Sequence, residues 1–516
     1  MLPVFSAGRV GWLPRRATRC ICSHHDHGSE ARVRFAPSPT GELHLGGLRT
    51  ALYNYLCAKK TGGTFIVRIE DTDRARLVEG SADRIRSLLT HYGLQSDEDP
   101  WKGGPAGPYT QSERLPLYKE HAEALIDAGA AYRCFCTSQR LELLRKEAAR
   151  NGTVPMYDRR CRSISAADGR ARAANGEEHV IRFVLDHQNV HFEDAVFGPV
   201  TQHLEESDPV LLKSDGFPTY HLANIVDDHT MRISDVIRGM EWLSSTGKHV
   251  LMYKAFSWRA PRFAHLPLIT RDGKKKLSKR DKDAFASFYD VQMGVLPQAV
   301  LNFLVRNGSG IRDFEPTTLY SLDELVERFD VNLIGRRNLM LDSESLTFYG
   351  GAAIREACDE QLLPLIRARL ARDLPAIEPG IDDAYLKRVV GFLKQNEETF
   401  SSLSQLTDRF SFLFTRPTSA EKLVQQFPRD TALAALERVV QRGTWNLDKL
   451  KETATSLGLT YPRLLGILRI SLLDDKSGPP IRELCEFFGE KECTARVQTM
   501  IQYLKAETAL PKKSSA

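Results

Sequence analysis

An α/β architecture, a doubly wound parallel sheet followed by an all-helical C-terminal third, is what this 516-residue sequence predicts. Three observations carry that expectation. A strand, a crossover helix and a second strand lie within about forty residues from Arg32. Strand-like runs resume between residues 219 and 270, and beyond about residue 345 only helical spacing remains.

The first strand covers Arg32 to Ala36, and the prolines and glycine of Pro37 to Gly41 turn the chain off it. A helix follows with Leu45, Leu48, Leu52, Tyr55 and Leu56 on one face, ended by Gly62 and Gly63. The second strand, Thr64 to Glu70, runs parallel to the first, because a crossover helix brings the chain back in the same direction. In such a sheet a ligand lies beyond the carboxyl ends of the strands, which is where the Pro37 to Gly47 turn and Glu70 fall. After the Gly/Pro-rich stretch Lys102 to Pro108, residues from about 111 to 205 read as an insertion, with charged helical segments and a strand at His179 to Leu185. Strands are expected again at Thr219 to Val226, Ile233 to Ile237 and Ala264 to Thr270, with a helix through Lys248 to Phe256. In the last third Leu433, Leu436, Val439 and Val440, then Val497, Met500, Ile501 and Leu504, recur at helical spacing. Residues 511–516 read as a frayed tail.

Apolar content of 42% and charged content of 27% are those of a globular chain. No apolar run approaches the roughly 18 residues that a membrane-spanning helix needs, so no membrane association is expected. Of the formal charge of +5, Arg9, Arg15, Arg16 and Arg19 supply +4 with no acid in the first 25 residues, which leaves about +1 for the rest. Any contact with nucleic acid must therefore come from a local basic patch. An acid-free, arginine-bearing start without a long apolar block has the composition of an organelle transit peptide, expected over residues 1–30. Nine scattered cysteines, an odd number, make no disulfide framework and suit a reducing compartment such as the mitochondrial matrix.

Chemistry concentrates in two stretches. Residues 34–47 read Arg-Phe-Ala-Pro-Ser-Pro-Thr-Gly-Glu-Leu-His-Leu-Gly-Gly, where a sharp turn delivers His44 to the start of a helix whose free N–H groups and positive dipole end suit a phosphate. Gly46 and Gly47 leave room for a ligand against the backbone. Residues 276–280 read Lys-Leu-Ser-Lys-Arg behind Asp272 and Gly273, a basic loop after a strand that can fold over a triphosphate. These stretches resemble the HIGH and KMSKS signatures of class I aminoacyl-tRNA synthetases in their glutamyl version, with Leu277 and Arg280 as departures from the second. Phe217 to Asn224 and Arg238 to Trp242 match two further segments of that family.

The resemblance implies a Rossmann-type catalytic domain over residues 31–290, its insertion binding the tRNA acceptor end. A stem-contact linker over 291–345 and a helical anticodon-binding region over 346–510 would follow. It also implies that His44, Lys276 and Lys279 stabilise charge in catalysis. ATP would meet His44, Gly46, Gly47, Glu241 and the loop Lys276, Leu277, Ser278, Lys279, Arg280, with Mg²⁺ on the phosphates. Glutamate would meet Arg34, Phe35, Ala36, Ser38, Glu70, Tyr220, Asn224 and Arg238. Partners would be the glutamate tRNA and, as in organelles, the glutamine tRNA, with the enzyme a monomer. The helical ending selects the bacterial type, since cytosolic glutamyl and glutaminyl enzymes of eukaryotes end in β-barrels.

Cys134 and Cys136, with Tyr157 and Cys161, leave two readings open. Some bacterial relatives bind zinc through a comparable set, with a histidine where this chain has Ser163; the other reading, preferred here, is small apolar cysteines or a vestigial site. Two rival functions are weighed as well. A nucleotidyltransferase would normally end soon after the α/β domain, whereas a long helical portion follows Lys282. A synthetase-derived binding protein without activity has no need of intact His44, Glu70, Arg238 and Lys279.

Overall fold

The computed structural model describes residues 30–271, 281–374, 381–395, 400–443 and 445–506. The expected transit peptide and C-terminal tail lie outside the described residues, apart from Glu30. The chain forms two compact units.

In the first unit, β1 (Arg32–Phe35) leads through the Pro/Gly turn into α1 (Leu45–Lys60) and on to β2 (Thr64–Val67), which pairs with β1 in parallel. Leu45, Leu48, Leu52 and Leu56 of α1 are fully buried, as their spacing predicts. Tyr53 rather than Tyr55 completes that face, its hydroxyl donating to the Ser309 carbonyl at 2.6 Å. Helix α2 (Ser81–His91) follows. The segment expected as an insertion holds α3 (Leu115–Asp127), β3 (Ala131–Cys134), α4 (Ser138–Arg150), α5 (Ala166–Ala174), β4 (Val180–Phe183), β5 (Gln188–Asp194) and β6 (Gly198–Leu204), and β7 (Val210–Leu212) lies just past its expected end. Strands β3, β4 and β7 make a small antiparallel sheet.

Helix α6 (Tyr220–Thr230), β8 (Asp235–Gly239), α7 (Leu243–Ala255) and β9 (Arg262–Leu266) complete the α/β core. A sheet runs in the order β6, β5, β9, β8, parallel except for the β5–β6 hairpin. It approaches β1 where the Ser234 N–H donates to the Arg32 carbonyl at 2.9 Å.

The expected strand at Thr219 to Val226 is instead helix α6. Its residues Leu222 to Asp228 are all buried, so the segment has no polar face and no helical period for the sequence to display. The single strand expected over Ala264 to Thr270 is two, β9 and β10 (Ile269–Thr270), because Pro267 interrupts it and cannot donate to a ladder. Strand β10 pairs with β13 (Leu339–Met340), while β11 (Ser309–Ile311) pairs with β12 (Phe329–Ile334). The linker expected at 291–345 is thus divided, since 307–314 and 323–340 belong to the first unit.

The second unit takes most of α8 (Pro297–Gly308) and the start of α9 (Leu322–Arg328). The remaining helices are α10 (Ser343–Glu356), α11 (Asp359–Asp373), α12 (Asp383–Gln395), α13 (Glu421–Gln426), α14 (Arg429–Arg442), α15 (Leu447–Ser456), α16 (Tyr461–Leu473) and α17 (Ile481–Ala506). Leu436 and Val439 of α14 and Val497, Met500 and Leu504 of α17 are buried in one apolar core, as the helical spacing predicts. Helix α17 kinks at Gly489, whose φ of 74° breaks the hydrogen-bond run.

Candidate active site

The turn after β1 is held from outside. Gly41, at φ 129°, donates from its N–H to Ser81 Oγ at 3.2 Å, and that hydroxyl donates back to the Gly41 carbonyl at 2.6 Å. The Glu70 N–H donates to the Pro37 carbonyl at 3.0 Å, which ties the turn to the chain leaving β2. His44 caps α1 with extended backbone, and no acidic residue lies in the helix's first turn, so its positive end is left for an anion. A side chain on Gly46 would enter open space, whereas one on Gly47 would strike Leu43 at 2.6 Å. Neither glycine is therefore fixed by its packing, because the Leu43 methyl can swing aside, and both leave the backbone open to what approaches from outside. Ala36 and Phe35 line the start of this turn, and Ser38 is exposed on it.

Below the turn lies a buried charge network. Arg68, fully buried, donates to Asp228 at 2.8 Å and to Glu70 at 3.1 Å, with Asp227 at 3.5 Å. Arg34 donates to both oxygens of Asp228 at 3.1 and 3.2 Å. Arg114 from the start of α3 donates to Asp227 at 2.7 Å, and Tyr118 and Gln111 donate to the same carboxylate at 2.9 Å. The Asn224 amide donates to Glu70 at 3.4 Å, and turning the amide over lets it donate to Asp228 at 3.3 Å and accept from Arg68 at 3.2 Å, which satisfies both its ends. Three guanidiniums thus face three carboxylates, which is the condition for burying them. Burial lifts the Glu70 and Asp227 carboxyls above their ordinary range. For Asp228 burial acts the same way, but Arg34 and Arg68 outweigh it and hold the group below.

Arg238, at the carboxyl end of β8 and 4% exposed, is solved differently. Its Nε donates to His265 Nε2 at 3.0 Å. Its terminal nitrogens donate to Thr246 Oγ1 at 2.9 Å, to Tyr220 Oη and His249 Nδ1 at 3.3 Å, and to the Trp242 carbonyl at 3.5 Å. Every one of these acceptors is neutral, and among the described residues no carboxylate pairs with Arg238. Because a guanidinium only donates, the imidazole nitrogens that face it must be unprotonated. His249 then carries its proton on Nε2, 3.0 Å from His221 Nδ1, and His265 carries its own on Nδ1, 2.6 Å from Asp194. Burial, with Arg238 adding to it, pushes His249 well below its ordinary range; burial with Lys248 takes His221 down to about 4, and burial lowers His265 too. With His265 neutral, its contact with Asp194 is a hydrogen bond rather than an ion pair. Tyr220 stacks on Trp242 with ring centres 3.8 Å apart. The arrangement is a buried, oriented cation whose charge is unmet, and it suits an incoming carboxylate.

Of the residues expected at the site, the structure brings Arg34, Glu70, Asn224, Tyr220 and Arg238 to the strand ends beside the His44 turn. Glu241 is exposed, in the loop after β8, its carboxylate lying over Gly239 where a side chain would be 2.1 Å away. It is not the surface partner of Arg238 that bare spacing would suggest. Lys276, Leu277, Ser278, Lys279 and Arg280 lie outside the described residues. The sequence reading missed Arg68, Arg114, Asp227, Asp228, Asp194, His265, His249 and Ser81.

In the insertion, Cys134, Cys136 and Cys161 bring their sulfurs within 4.8 Å of one another, a spacing that could hold a metal. Tyr157 stands fourth, its hydroxyl accepting from the Cys134 thiol at 3.3 Å and from the Cys161 N–H at 3.1 Å, while Ser163 is exposed and turned to the Arg160 carbonyl. Burial pushes the Cys134 thiol up, but hydrogen bonding with Tyr157 and the Cys136 backbone, together with Arg182, pulls it below its ordinary value.

A parallel sheet with an anion-ready helix end and a carboxylate-ready arginine at its strand ends defines a class: an enzyme that joins a nucleotide phosphate to a carboxylic acid. Residues 30–348 match the family model for the catalytic domain of class I tRNA synthetases (E and Q), and residues 360–501 match that for an anticodon binding domain. The chain is 36% identical over 493 residues to a glutamate–tRNA ligase of Finegoldia magna, covering 91% of this chain and 99% of that one. It is 37% identical over 501 residues to one of Pelodictyon phaeoclathratiforme, covering 91% and 97%. The crystal structure of a glutamate tRNA ligase from Elizabethkingia meningosepticum, in complex with its amino acid, superposes with a TM-score of 0.78 at 33% identity, over 92% of this chain and all of that one. The chain belongs to the class I glutamyl and glutaminyl tRNA synthetase family, among the glutamate–tRNA ligases of bacterial type.

Proposed function

We propose that this chain activates glutamate with ATP and transfers it to the 3′ end of the glutamate tRNA. The glutamate α-carboxylate attacks the α-phosphorus, pyrophosphate leaves, and a hydroxyl of the terminal tRNA adenosine then attacks the activated carbonyl and releases AMP. His44 and the α1 N-terminus stabilise the negative charge that builds on the α-phosphate, and Lys276 and Lys279 that on the departing pyrophosphate. Arg34 and Glu70 receive the α-carboxylate and ammonium. Arg238, held in the empty site partly by Tyr220, receives the side-chain carboxylate.

The observation that supports this best is the buried Arg238 among neutral acceptors. A neutral glutamine amide would leave its charge unmatched, so a carboxylate is selected. Pyrophosphate exchange with and without tRNA tests it: glutamate supports exchange only when tRNA is present, and glutamine does not. Equal exchange with glutamine sinks the reading. Mg²⁺ is expected on the ATP phosphates, which bring their own ligands. Glu70, Asp227 and Asp228 are engaged by arginines, so no step is assigned to a metal held by these side chains.

The glutamine tRNA is a second acceptor, the enzyme works as a monomer, and residues 1–30 direct it to the mitochondrial matrix. What supports this last point is the acid-free composition around Arg9, Arg15, Arg16 and Arg19. Deleting residues 2–25 should leave the purified enzyme active and abolish uptake by isolated mitochondria. Uptake of the truncated chain contradicts it.

A further inference from the structure

Taking Arg238 as the receptor for the side-chain carboxylate, as proposed above, we infer that Asp194 and His265 form a positioning dyad that aims its guanidinium. The Asp194 carboxylate is fixed in place: Oδ1 accepts from the N–H groups of Val196 at 3.0 Å and Phe197 at 2.9 Å, and Oδ2 accepts from His265 Nδ1 at 2.6 Å. Both side chains are essentially inaccessible to solvent. This holds the imidazole proton on Nδ1, which makes Nε2 an acceptor for Arg238 Nε at 3.0 Å and for no proton of its own. The two shortest bonds of Arg238, from Nε to His265 and from one terminal nitrogen to Thr246, hold one edge of its fork. The longer ones, at 3.3 Å to Tyr220 and His249, are those that an incoming carboxylate can replace at least cost. Asp194 lies one imidazole away, close enough to order the arginine but not bonded to it, so the cation is oriented without being neutralised. A carboxylate bonded to Arg238 directly would compete with the substrate.

Exchanging Asp194 for Asn is the sharpest test. The amide oxygen keeps the backbone bonds, while its NH₂ faces Nδ1 and drives the imidazole proton to Nε2, where it meets the Arg238 N–H head on. The KM for glutamate in tRNA charging should rise about tenfold to a hundredfold, the size of one lost hydrogen bond to a charged group. The KM for ATP should change by less than about threefold on that same scale, and the ¹⁵N shifts of the His265 ring should report the other tautomer. A folded D194N with an unchanged glutamate KM overturns the dyad.

Should D194N not fold, two substitutions at His265 decide. His265→Asn leaves no acceptor near Nε2 and should raise the glutamate KM. His265→Gln places an amide oxygen there and should recover most of it. Equal behaviour of the two would mean that His265 only fills space, and overturns the proposal. Arg238→Ala run alongside separates the layers. If it leaves the glutamate KM unchanged, the reading of Arg238 falls and the dyad with it. If it raises the KM while neither D194N nor H265N does, only the dyad falls.

Discussion

Arg68, just past the end of β2, and Arg238, at the carboxyl end of β8, are both buried arginines, yet their surroundings are opposite. Arg68 meets three carboxylates, shared with Arg34 and Arg114. Arg238 meets imidazole, hydroxyl and carbonyl acceptors and no carboxylate among the described residues. Satisfying every N–H is enough to bury a guanidinium, but only opposite charge neutralises it. Arg68, met by carboxylates from three residues, is scaffold. An arginine that is hydrogen-bonded but not neutralised retains its attraction for an anion, and the sequence alone does not distinguish the two.

The largest effect should come from breaking the neutralised side. Asp228→Ala leaves Arg34 without its ion-pair partner and takes one of three from Arg68. A loss of about 3–5 kcal/mol in unfolding free energy is expected, as for removing one member of a buried pair. Denaturant midpoints measure it, and a loss below about 1 kcal/mol would mean that the network is far better hydrated than its burial implies.

The neutral ring around Arg238 should show itself in pH dependence. Its imidazoles are neutral when folded and are held down, His221 to about 4. The unfolded chain takes up their protons below about 6.5, so unfolding binds protons between about 6.5 and 4 and stability falls as pH falls through that window. For His221 no further loss arises below about 4. His221 alone, lowered from 6.5 to about 4, is worth on the order of 3 kcal/mol. The pH profile of denaturant midpoints for His221→Gln against the parent checks it: the substituted chain should lose less between the two pH values.

How much of this was legible follows from where the partners sit in the chain. Arg34, Glu70, Tyr220, Asn224 and Arg238 lie in segments whose local order resembles a known pattern, so they could be named at once. Their supporting residues come from afar: Asp228 lies 160 positions from Arg68, and His265 lies 71 from Asp194. No local spacing encodes such pairs. A signal was present all the same. Asp227 and Asp228 end an apolar run, and Arg68 and Glu70 alternate with Val67 and Ile69, so charges inside buried elements call for buried partners. The same burial hid α6, which has no polar face to give it a period, whereas the one-sided helices α14 and α17 were readable.

His44 lies outside both arginine environments and tests whether chemistry separates from scaffold. His44→Ala should slow adenylate formation about 10²-fold, the size of one charge-stabilising donor, with a much smaller effect on the thermal midpoint. Near-normal pyrophosphate exchange would remove it from catalysis.

The smallest effect is the finest cut at the unneutralised arginine. Tyr220→Phe removes one acceptor of Arg238, a bond of 3.3 Å, and leaves the ring stacked on Trp242. Burial keeps the phenol above its ordinary range, so what is lost is a neutral hydroxyl and not a charge. If that hydroxyl mainly holds Arg238 in the empty site, the arginine keeps its other neutral acceptors and the glutamate KM should rise only a few-fold, about 1 kcal/mol. If the hydroxyl is handed to the substrate carboxylate as a donor when Arg238 turns to it, the loss is of a hydrogen bond to a charged group and reaches ten- to a hundredfold. The first outcome is expected, because the guanidinium is the stronger donor and outcompetes a neutral phenol for one carboxylate. Measuring the glutamate KM of Tyr220→Phe beside its thermal midpoint distinguishes the two, since a rise beyond tenfold at unchanged stability would make Tyr220 a second receptor and not a resting place for Arg238.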